Sequence, residues 1–243
     1  MKKLIYFTLG NNTNYIKLAD LCVSSLYENN YDGDFLFITN LKEIILNSIS
    51  FKKKPFFVNV DETNLLLSSS NKLKIYNFNH IDDYDKIIYS DVDILWLSNP
   101  DTIFDEIIED KFYVSNENEL MSDEHWGGKI FNENEKKIIN ENNIKGINAG
   151  IFGFNKTMIN HLKNIEEFLY QNQNLINTCL EQPFFNVYLF RNNLYNNILN
   201  KCICHYGYHM DSYDGTVLHF AGGPGNFEYK YNQIINYKNK NFK

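Results

Sequence analysis

The stretch from residue 85 to residue 98 reads Asp-Lys-Ile-Ile-Tyr-Ser-Asp-Val-Asp-Ile-Leu-Trp-Leu-Ser. Its first apolar run, Ile87-Ile88-Tyr89, predicts a buried strand, and apolar residues resume at Ile94. Side chains two residues apart on a strand share a face, so we expect Asp91 and Asp93 to project together from the strand end. Paired carboxylates suit Mg²⁺ or Mn²⁺, ions that often carry a diphosphate.

An Asp-x-Asp pattern is weak evidence by itself, because the chain has 30 Asp plus Glu residues and such pairs arise by chance. This pair, however, interrupts a strongly apolar segment. A buried carboxylate without a partner costs several kcal/mol. Two of them side by side therefore require a cation or a strong hydrogen-bond network.

The composition is that of an ordinary globular protein, with 243 residues, 44% of them hydrophobic and 22% charged. A net charge of -7 gives no support for a nucleic-acid partner. The N-terminal apolar run ends at Gly10, too early for a signal peptide, and no stretch approaches the roughly 20 apolar residues of a membrane span. We therefore expect a soluble, cytoplasmic protein. Frequent Asn, Lys and Ile indicate an AT-rich genome; a viral source would place the protein in the host cytoplasm or the virion.

The four cysteines are at positions 22, 179, 202 and 204, and their spacing matches no zinc pattern. This distribution favours free thiols in a reducing compartment.

The pattern of apolar residues predicts an α/β fold. Short β-branched and aromatic runs predict strands at residues 4–9, 35–39, 56–60, 86–89, 112–115, 146–154 and 216–220. Periodicity and turn residues predict helices at residues 15–27, 99–108, 156–171 and 181–192. Strands separated by helices indicate a mostly parallel central sheet flanked by helices. The polar segment 116–145 predicts loops and a short helix, either a lid or a surface loop.

Three segments that could carry chemistry follow predicted strands: residues 8–15, 91–93 and 219–225. Ligands of open α/β sheets bind at the carboxyl ends of the strands, so we expect these segments to meet. His219 precedes a glycine-rich run that begins at Gly222, where backbone N–H groups can approach a phosphate. Mn²⁺ tolerates imidazole beside carboxylates, whereas Mg²⁺ prefers oxygen. A purely structural histidine is the alternative.

Six short motifs follow one another along the chain: Thr8-Leu9-Gly10-Asn11 with Tyr15, Lys72-Leu73-Lys74-Ile75, Ser90-Asp91-Val92-Asp93, Ile147-Asn148-Ala149-Gly150-Ile151-Phe152, Glu181-Gln182-Pro183-Phe184-Phe185-Asn186 and His219-Phe220-Ala221-Gly222. In this order they resemble the motifs of glycosyltransferase family 8, the glycogenin-like enzymes of GT-A fold. The resemblance runs over most of the chain.

The resemblance implies a single Rossmann-like GT-A domain over residues 1–243. Residues 1–115 would form the nucleotide-binding half, and residues 116–243 the half for donor sugar and acceptor, with the metal-binding histidine near its C-terminus. It implies a retaining hexosyltransferase that uses a nucleotide-sugar donor, most often a UDP-sugar, with Mn²⁺ (or Mg²⁺). The acceptor would be a hydroxyl of a glycan or a protein.

The resemblance also implies a role for particular residues. The metal ligands would be Asp91, Asp93 and His219. Tyr15 would stack on the base, and Lys74 would reach the base or a phosphate. The other donor-binding residues would be Thr8, Leu9, Asn11, Val92, Asn148, Ala149, Gly150, Gly222 and Lys230. Glu181 and Gln182 are the candidates for a catalytic role beneath the sugar; the alternative for both is capping of a helix N-terminus.

The chain departs from the family pattern at two positions. Gly225 stands where family members usually carry a phosphate-binding lysine, and Lys230 is the nearest basic replacement. Glu181 replaces the usual Asp.

Two rival interpretations remain. The first is a phosphatase of haloacid-dehalogenase type, which carries its Asp-x-Asp on the first strand with Thr or Val two residues after it. Here the pair follows the fourth predicted strand, and Leu95 occupies the position of that Thr or Val. The other is a non-catalytic module of the same fold that binds a sugar nucleotide or a glycan.

Overall fold

The strands and helices of the computed structural model alternate along the chain, and the structure describes residues 1–10, 12–60, 65–176, 179–222 and 227–241. The strands are β1 (Lys3–Leu9), β2 (Asp34–Thr39), β3 (Phe56–Val58), β4 (Lys86–Ser90), β5 (Ile94–Trp96), β6 (Phe112–Leu120), β7 (Lys145–Asn155), β8 (Tyr195–Asn196), β9 (Ile203–Cys204) and β10 (Val217–His219). The α-helices are α1 (Tyr15–Glu28), α2 (Lys42–Ser48), α3 (Leu65–Ser70), α4 (Asp101–Glu106), α5 (Glu133–Glu141), α6 (Ile159–Gln171), α7 (Gln182–Asn192) and α8 (Phe227–Asn241).

The central sheet has seven strands in the order β3-β2-β1-β4-β7-β6-β8. The first four are parallel to one another, and β6 is parallel to β8. Strand β7 runs antiparallel to both of its neighbours. The expected α/β domain with a mixed, mostly parallel sheet is therefore confirmed.

The inner strands are covered on both faces, as their apolar sequence predicts. In β1, Ile5 and Phe7 pack into the core cluster that contains the buried face of α1. Leu4 and Tyr6, which point to the opposite face, pack into a second cluster with residues from α6. This alternation follows from the two-residue period of a strand.

A small three-stranded sheet, β5-β10-β9, lies beside the end of β4. Strand β10 runs antiparallel to β5 and places His219 opposite Ile94. The backbone N–H of Phe220 donates to the carbonyl of Asp93 at 3.0 Å. The small sheet thus brings the last strand of the chain to the residues that follow β4.

Segment 116–145 is more ordered than the sequence predicts. Strand β6 continues to Leu120, beyond the expected end at residue 115. The expected short helix is α5, which begins with a capping box in which the Asn132 and Glu135 side chains satisfy each other's backbone N–H groups. The division into two functional halves stays a prediction.

Across the described ranges, no helix combines the length and the apolar character that a membrane span requires.

Candidate functional site

Asp91, Asp93 and His219 meet in one cluster, with one ligand atom from each within 4.8 Å of the others. His219 Nε2 lies 3.2 Å from Asp93 Oδ1 and 4.0 Å from Asp91 Oδ2. The carboxylates do not lie on one strand as expected, because β4 ends at Ser90 and both residues occupy the connection to β5. Their convergence results from this short bend, which β7 fixes where the Asp91 N–H donates to the Gly150 carbonyl at 2.7 Å.

The cluster exists because position 150 has no side chain. A Cβ atom at Gly150 would lie 2.4 Å from His219 Cε1 and 2.7 Å from Asp91 Oδ2. Real Cβ atoms essentially never approach a neighbour closer than 3.0 Å. The glycine therefore makes room for two of the three candidate ligands.

Two carboxylates and one imidazole form a donor set that fits a divalent ion with mixed oxygen and nitrogen ligands, such as Mn²⁺. Burial raises the pKa of Asp91, although the Lys72 ammonium opposes the shift. Burial would raise the pKa of Asp93 as well, but His219 and Lys230 outweigh it and hold that pKa well below its usual range. The carboxylate of Asp93 is thus ready to act as a ligand.

Lys72, rather than Lys74, is the lysine of its motif that reaches the site. Its side chain is 7% exposed, and Nζ lies 2.8 Å from Glu181 Oε1 and 3.7 Å from Asp91 Oδ1. Nζ also donates to the Ala149 carbonyl at 3.0 Å. These carboxylates outweigh burial and raise the pKa of Lys72 above its usual range.

Lys74 lies away from the site, with Nζ 3.9 Å from Glu166 Oε1. Both lysines belong to the 3₁₀-helix Asn71–Asn77. Because such a helix has three residues per turn, side chains two residues apart point in different directions. The structure therefore places Lys72, and not Lys74, among the other predicted site residues, and a role of Lys74 in donor binding stays a prediction.

Glu181 and Gln182 open helix α7, and each side chain has a definite partner. Glu181 is at the N-cap position, but its side chain makes no cap hydrogen bond and pairs with Lys72 instead. Gln182 Oε1 accepts a hydrogen bond from the Ala149 N–H at 3.0 Å. This contact leaves the Gln182 amide nitrogen as a donor for a ligand.

Asn148 and its neighbours form a polar wall. Its side chain accepts from the Gly150 N–H at 2.8 Å and donates to Glu117 at 2.7 Å. The Tyr206 hydroxyl donates to the other oxygen of Glu117 at 2.7 Å. Sequence reasoning did not identify Glu117 or Tyr206, because each becomes recognisable only through a partner more than 30 residues away.

These groups line a cavity of about 1060 Å³. The predicted residues that line it are Thr8, Leu9, Tyr15, Asp91, Val92, Asp93, Asn148, Gly150, Glu181, Gln182, His219, Gly222 and Lys230. Ala149 contributes through its backbone contacts and is 1% exposed. Asn11 lies outside the described residues, as does Gly225.

The first strand joins the cluster through a tyrosine. Thr8 Oγ1 lies 3.0 Å from the Tyr89 hydroxyl, and that hydroxyl donates to Asp91. The Tyr15 ring lies 5.9 Å from that of Phe227, between centroids. The end of β1 and the start of α1 thus share a wall with the carboxylates.

Lys230 lies in the first turn of α8 and its ammonium pairs with Asp93. The Asp93 charge outweighs burial and raises the pKa of Lys230 to about 12. Gly222, at φ 58°, has a left-handed conformation that favours glycine. Its carbonyl accepts from the Tyr208 hydroxyl at 3.1 Å.

A second histidine, His205, lies directly behind the cluster. Its Nδ1 is 3.0 Å from His219 Nδ1. Burial, helped by the neighbouring His219, lowers the pKa of His205 well below its usual range. No motif or spacing in the sequence predicted a role for His205.

The fold is that of known glycosyltransferases. The bifunctional glycosyltransferase WbbM matches with a TM-score of 0.62 at 13% identity, covering 100% of this chain, which spans 52% of that protein. The galactosyltransferase LgtC, solved with donor and acceptor sugar analogues, matches with a TM-score of 0.61 at 16% identity, covering 96% of this chain and 95% of its own. Mouse xyloside xylosyltransferase 1 matches with a TM-score of 0.57 at 12% identity, covering 91% of this chain and 98% of its own.

At such low identity these likenesses show the fold alone, and they confirm the expected GT-A architecture. No protein-family model and no curated protein matches the chain.

Proposed function

We propose that this protein is a metal-dependent glycosyltransferase that moves a hexose from a nucleoside-diphosphate sugar to a hydroxyl of a glycan or protein acceptor. The proposed donor is a UDP-sugar, the proposed ion Mn²⁺ (or Mg²⁺), and the proposed outcome retention of anomeric configuration. The observation that carries this proposal is the convergence of Asp91, Asp93 and His219 in the wall of the 1060 Å³ cavity. The solved glycosyltransferases of similar fold support the same activity.

Asp91, Asp93 and His219 would hold the metal, which when bound stabilises the negative charge that develops on a departing diphosphate. Lys230 adds a cation at the same place, since its ammonium already pairs with Asp93. Gly222, with its left-handed backbone, would present an N–H group toward a phosphate oxygen. These groups together favour departure of the diphosphate.

Lys72 has a different role in this proposal. It neutralises Glu181 and Asp91 together and ties both to β7 through the Ala149 carbonyl. Gln182, held by the Ala149 N–H, would donate its amide nitrogen to the sugar or to the oxygens around the anomeric carbon. Because Glu181 is engaged by Lys72, we assign it to charge balance and positioning.

Retention needs no strong base in this site. An acceptor hydroxyl that approaches from the side of the leaving group can pass its proton to the departing phosphate. The chain's residues would then hold the acceptor hydroxyl on the face of the sugar from which the phosphate departs and exclude water. The polar wall formed by Asn148, Glu117 and Tyr206 lines the same cavity and would offer hydrogen bonds to the acceptor.

The donor is tested by thermal-shift measurements with UDP-, GDP- and dTDP-sugars, each with Mn²⁺ or with EDTA. We expect a metal-dependent rise in Tm with a UDP-sugar, and no such rise with any donor would refute the proposal. Asp93→Asn should abolish the metal-dependent part. Lys74→Met, a change outside the cavity, is the control that should retain it.

Turnover separates the enzyme from the non-catalytic module. UDP release from the identified donor, measured with and without candidate acceptors, should occur in the wild type and fall by orders of magnitude in Asp93→Asn. Metal-dependent donor binding without any release would favour the binding module. NMR of the product's anomeric proton decides between retention and inversion.

A further inference from the structure

His205 and His219 form a buried imidazole pair. His205 is 3% exposed and His219 is 2% exposed. Their Nδ1 atoms lie 3.0 Å apart, and the rings are inclined by 73°. A nitrogen–nitrogen contact of this length is a hydrogen bond that holds one proton, so one Nδ1 must donate and the other must accept.

The cluster determines which one donates. His219 Nε2 faces the carboxylates, 3.2 Å from Asp93 Oδ1, and is therefore the nitrogen available to a metal. A metal ligand must present a lone pair, so the proton of a neutral His219 ring belongs on Nδ1. His205 must then accept at its own Nδ1 and carry its proton on Nε2.

Among the residues that the structure describes, His219 is the hydrogen-bond partner of the His205 ring. The His205 Nε2 is buried and has no hydrogen-bond partner among the residues that the structure describes. A buried N–H without an acceptor is a standing cost to the folded state. Packing alone would be served better by an apolar ring, so the histidine indicates a requirement for its Nδ1 lone pair.

We propose that His205 is a positioning residue that accepts the Nδ1 proton of His219 and so keeps His219 Nε2 free and aimed at the metal. The proposal rests on the metal-dependent function proposed above. A metal-ligating histidine commonly gives its second N–H to a carboxylate, a backbone carbonyl or water. Here the neutral imidazole of His205 accepts that N–H, so no third negative charge is added beside Asp91 and Asp93.

Two variants at position 205 separate the hydrogen bond from the packing. His205→Asn places an amide oxygen near the present position of Nδ1, whereas His205→Phe keeps a ring and has no acceptor. The probe is Mn²⁺ alone, titrated into the full chain and followed by the EPR signal of the free ion. Tm is measured on each variant without metal.

We expect His205→Phe to bind Mn²⁺ about 10- to 100-fold more weakly than the wild type, as for the loss of other groups that orient a metal-ligating histidine. Its Tm without metal should stay close to that of the wild type, because the unpaired His205 Nε2 is removed while His219 Nδ1 loses its partner; a merely structural role would lower Tm. His205→Asn should bind Mn²⁺ within a few-fold of the wild type. Wild-type affinity in His205→Phe, or equal losses in both variants, would overturn the proposal.

The tautomer can also be read without any substitution. In ¹⁵N-histidine-labelled wild type with diamagnetic Cd²⁺, NMR should show a protonated Nδ1 on His219 and an unprotonated Nδ1 on His205. The opposite assignment overturns the positioning role while the metal site stands. If the wild type binds neither Mn²⁺ nor Cd²⁺, the proposed function itself fails and this inference fails with it.

Discussion

Replacing Gly150 by alanine adds a single methyl group where the candidate ligands converge. The new Cβ would lie 2.4 Å from His219 Cε1 and 2.7 Å from Asp91 Oδ2. Ordinary contacts begin near 3.4 Å, so the imidazole and the strand must separate by about 1 Å. His219 cannot yield freely, because it is hydrogen-bonded to His205 behind it.

The expected cost follows from two opposing effects. Overpacking of a filled site costs about 1–3 kcal/mol. Replacing glycine by alanine also reduces the backbone freedom of the unfolded chain, which stabilises the folded state by about 0.4–1 kcal/mol. A net loss near 1–2 kcal/mol would lower Tm by roughly 2–8 °C for a chain of this size. The effect on Mn²⁺ should be larger, on the order of 100-fold, since a displacement of 1 Å separates ligands that must act together.

Gly153 on the same strand supplies the matched control. A Cβ there would lie 2.7 Å from Ile107 Cδ1, the end of a flexible side chain that can rotate away. Gly153→Ala should therefore leave Mn²⁺ affinity unchanged, measured by EPR titration, with only a small change in Tm by calorimetry. If Gly150→Ala binds Mn²⁺ as tightly as Gly153→Ala does, the steric account of this site is wrong.

Three further outcomes follow from the two lysines. Lys230→Met should raise the Mn²⁺ affinity of the nucleotide-free protein by about tenfold and should weaken donor binding. The tenfold gain corresponds to a fraction of the ~4 kcal/mol of repulsion between unit charges 4 Å apart in a partly solvated site. A loss of Mn²⁺ affinity in calorimetric titration would contradict this prediction. The Lys230 pKa is raised from 10.5 to about 12, so its stabilising effect is complete below the lower value and is lost as pH rises through the higher one. Between these pH values, the free energy of unfolding measured with urea should fall by about 2 kcal/mol more in the wild type than in Lys230→Met. Equal falls in the two proteins would refute this role of Lys230. Lys72→Met should lower the free energy of unfolding by about 3–5 kcal/mol, because it leaves the Glu181 and Asp91 carboxylates without their lysine. Adding Glu181→Gln should recover part of that loss in a double-mutant cycle, and no recovery would show that the Lys72–Glu181 pair contributes nothing.

Six strands of the central sheet were predictable because their signal is local, whereas the two-residue β8 was not predicted. Residues Ile5 to Phe7 and Ile87 to Tyr89 are apolar and β-branched or aromatic, and the strands they form are buried on both faces. In the small sheet only β10 was predicted, as the strand at residues 216–220, since β5 has three residues and β9 has two. Strands this short acquire their conformation from their neighbours, and here from β10, which pairs with both.

The candidate site shows the same division between local and distant information. Asp91 and Asp93 could be named because their carboxylates interrupt an apolar run. The choice between Lys72 and Lys74 depended on a 3₁₀ conformation that an alternating pattern does not reveal. His205 became significant only through a partner 14 residues away, for which no local pattern exists.

The two carboxylates next to an apolar strand indicated that a cation or a strong hydrogen-bond network must accompany them, and two lysines lie beside them. Lys72 pairs with Asp91 and Lys230 pairs with Asp93, so the metal-free chain can fold without an uncompensated charge. The two ammonium groups are held differently, because Lys72 is also bound by Glu181 and the Ala149 carbonyl. A metal that binds Asp93 would therefore displace Lys230 while Lys72 stays in place. In the proposed function, the released ammonium would be free to pair with a diphosphate, so the lysine that compensates the metal-free site would become a donor ligand once the metal is bound.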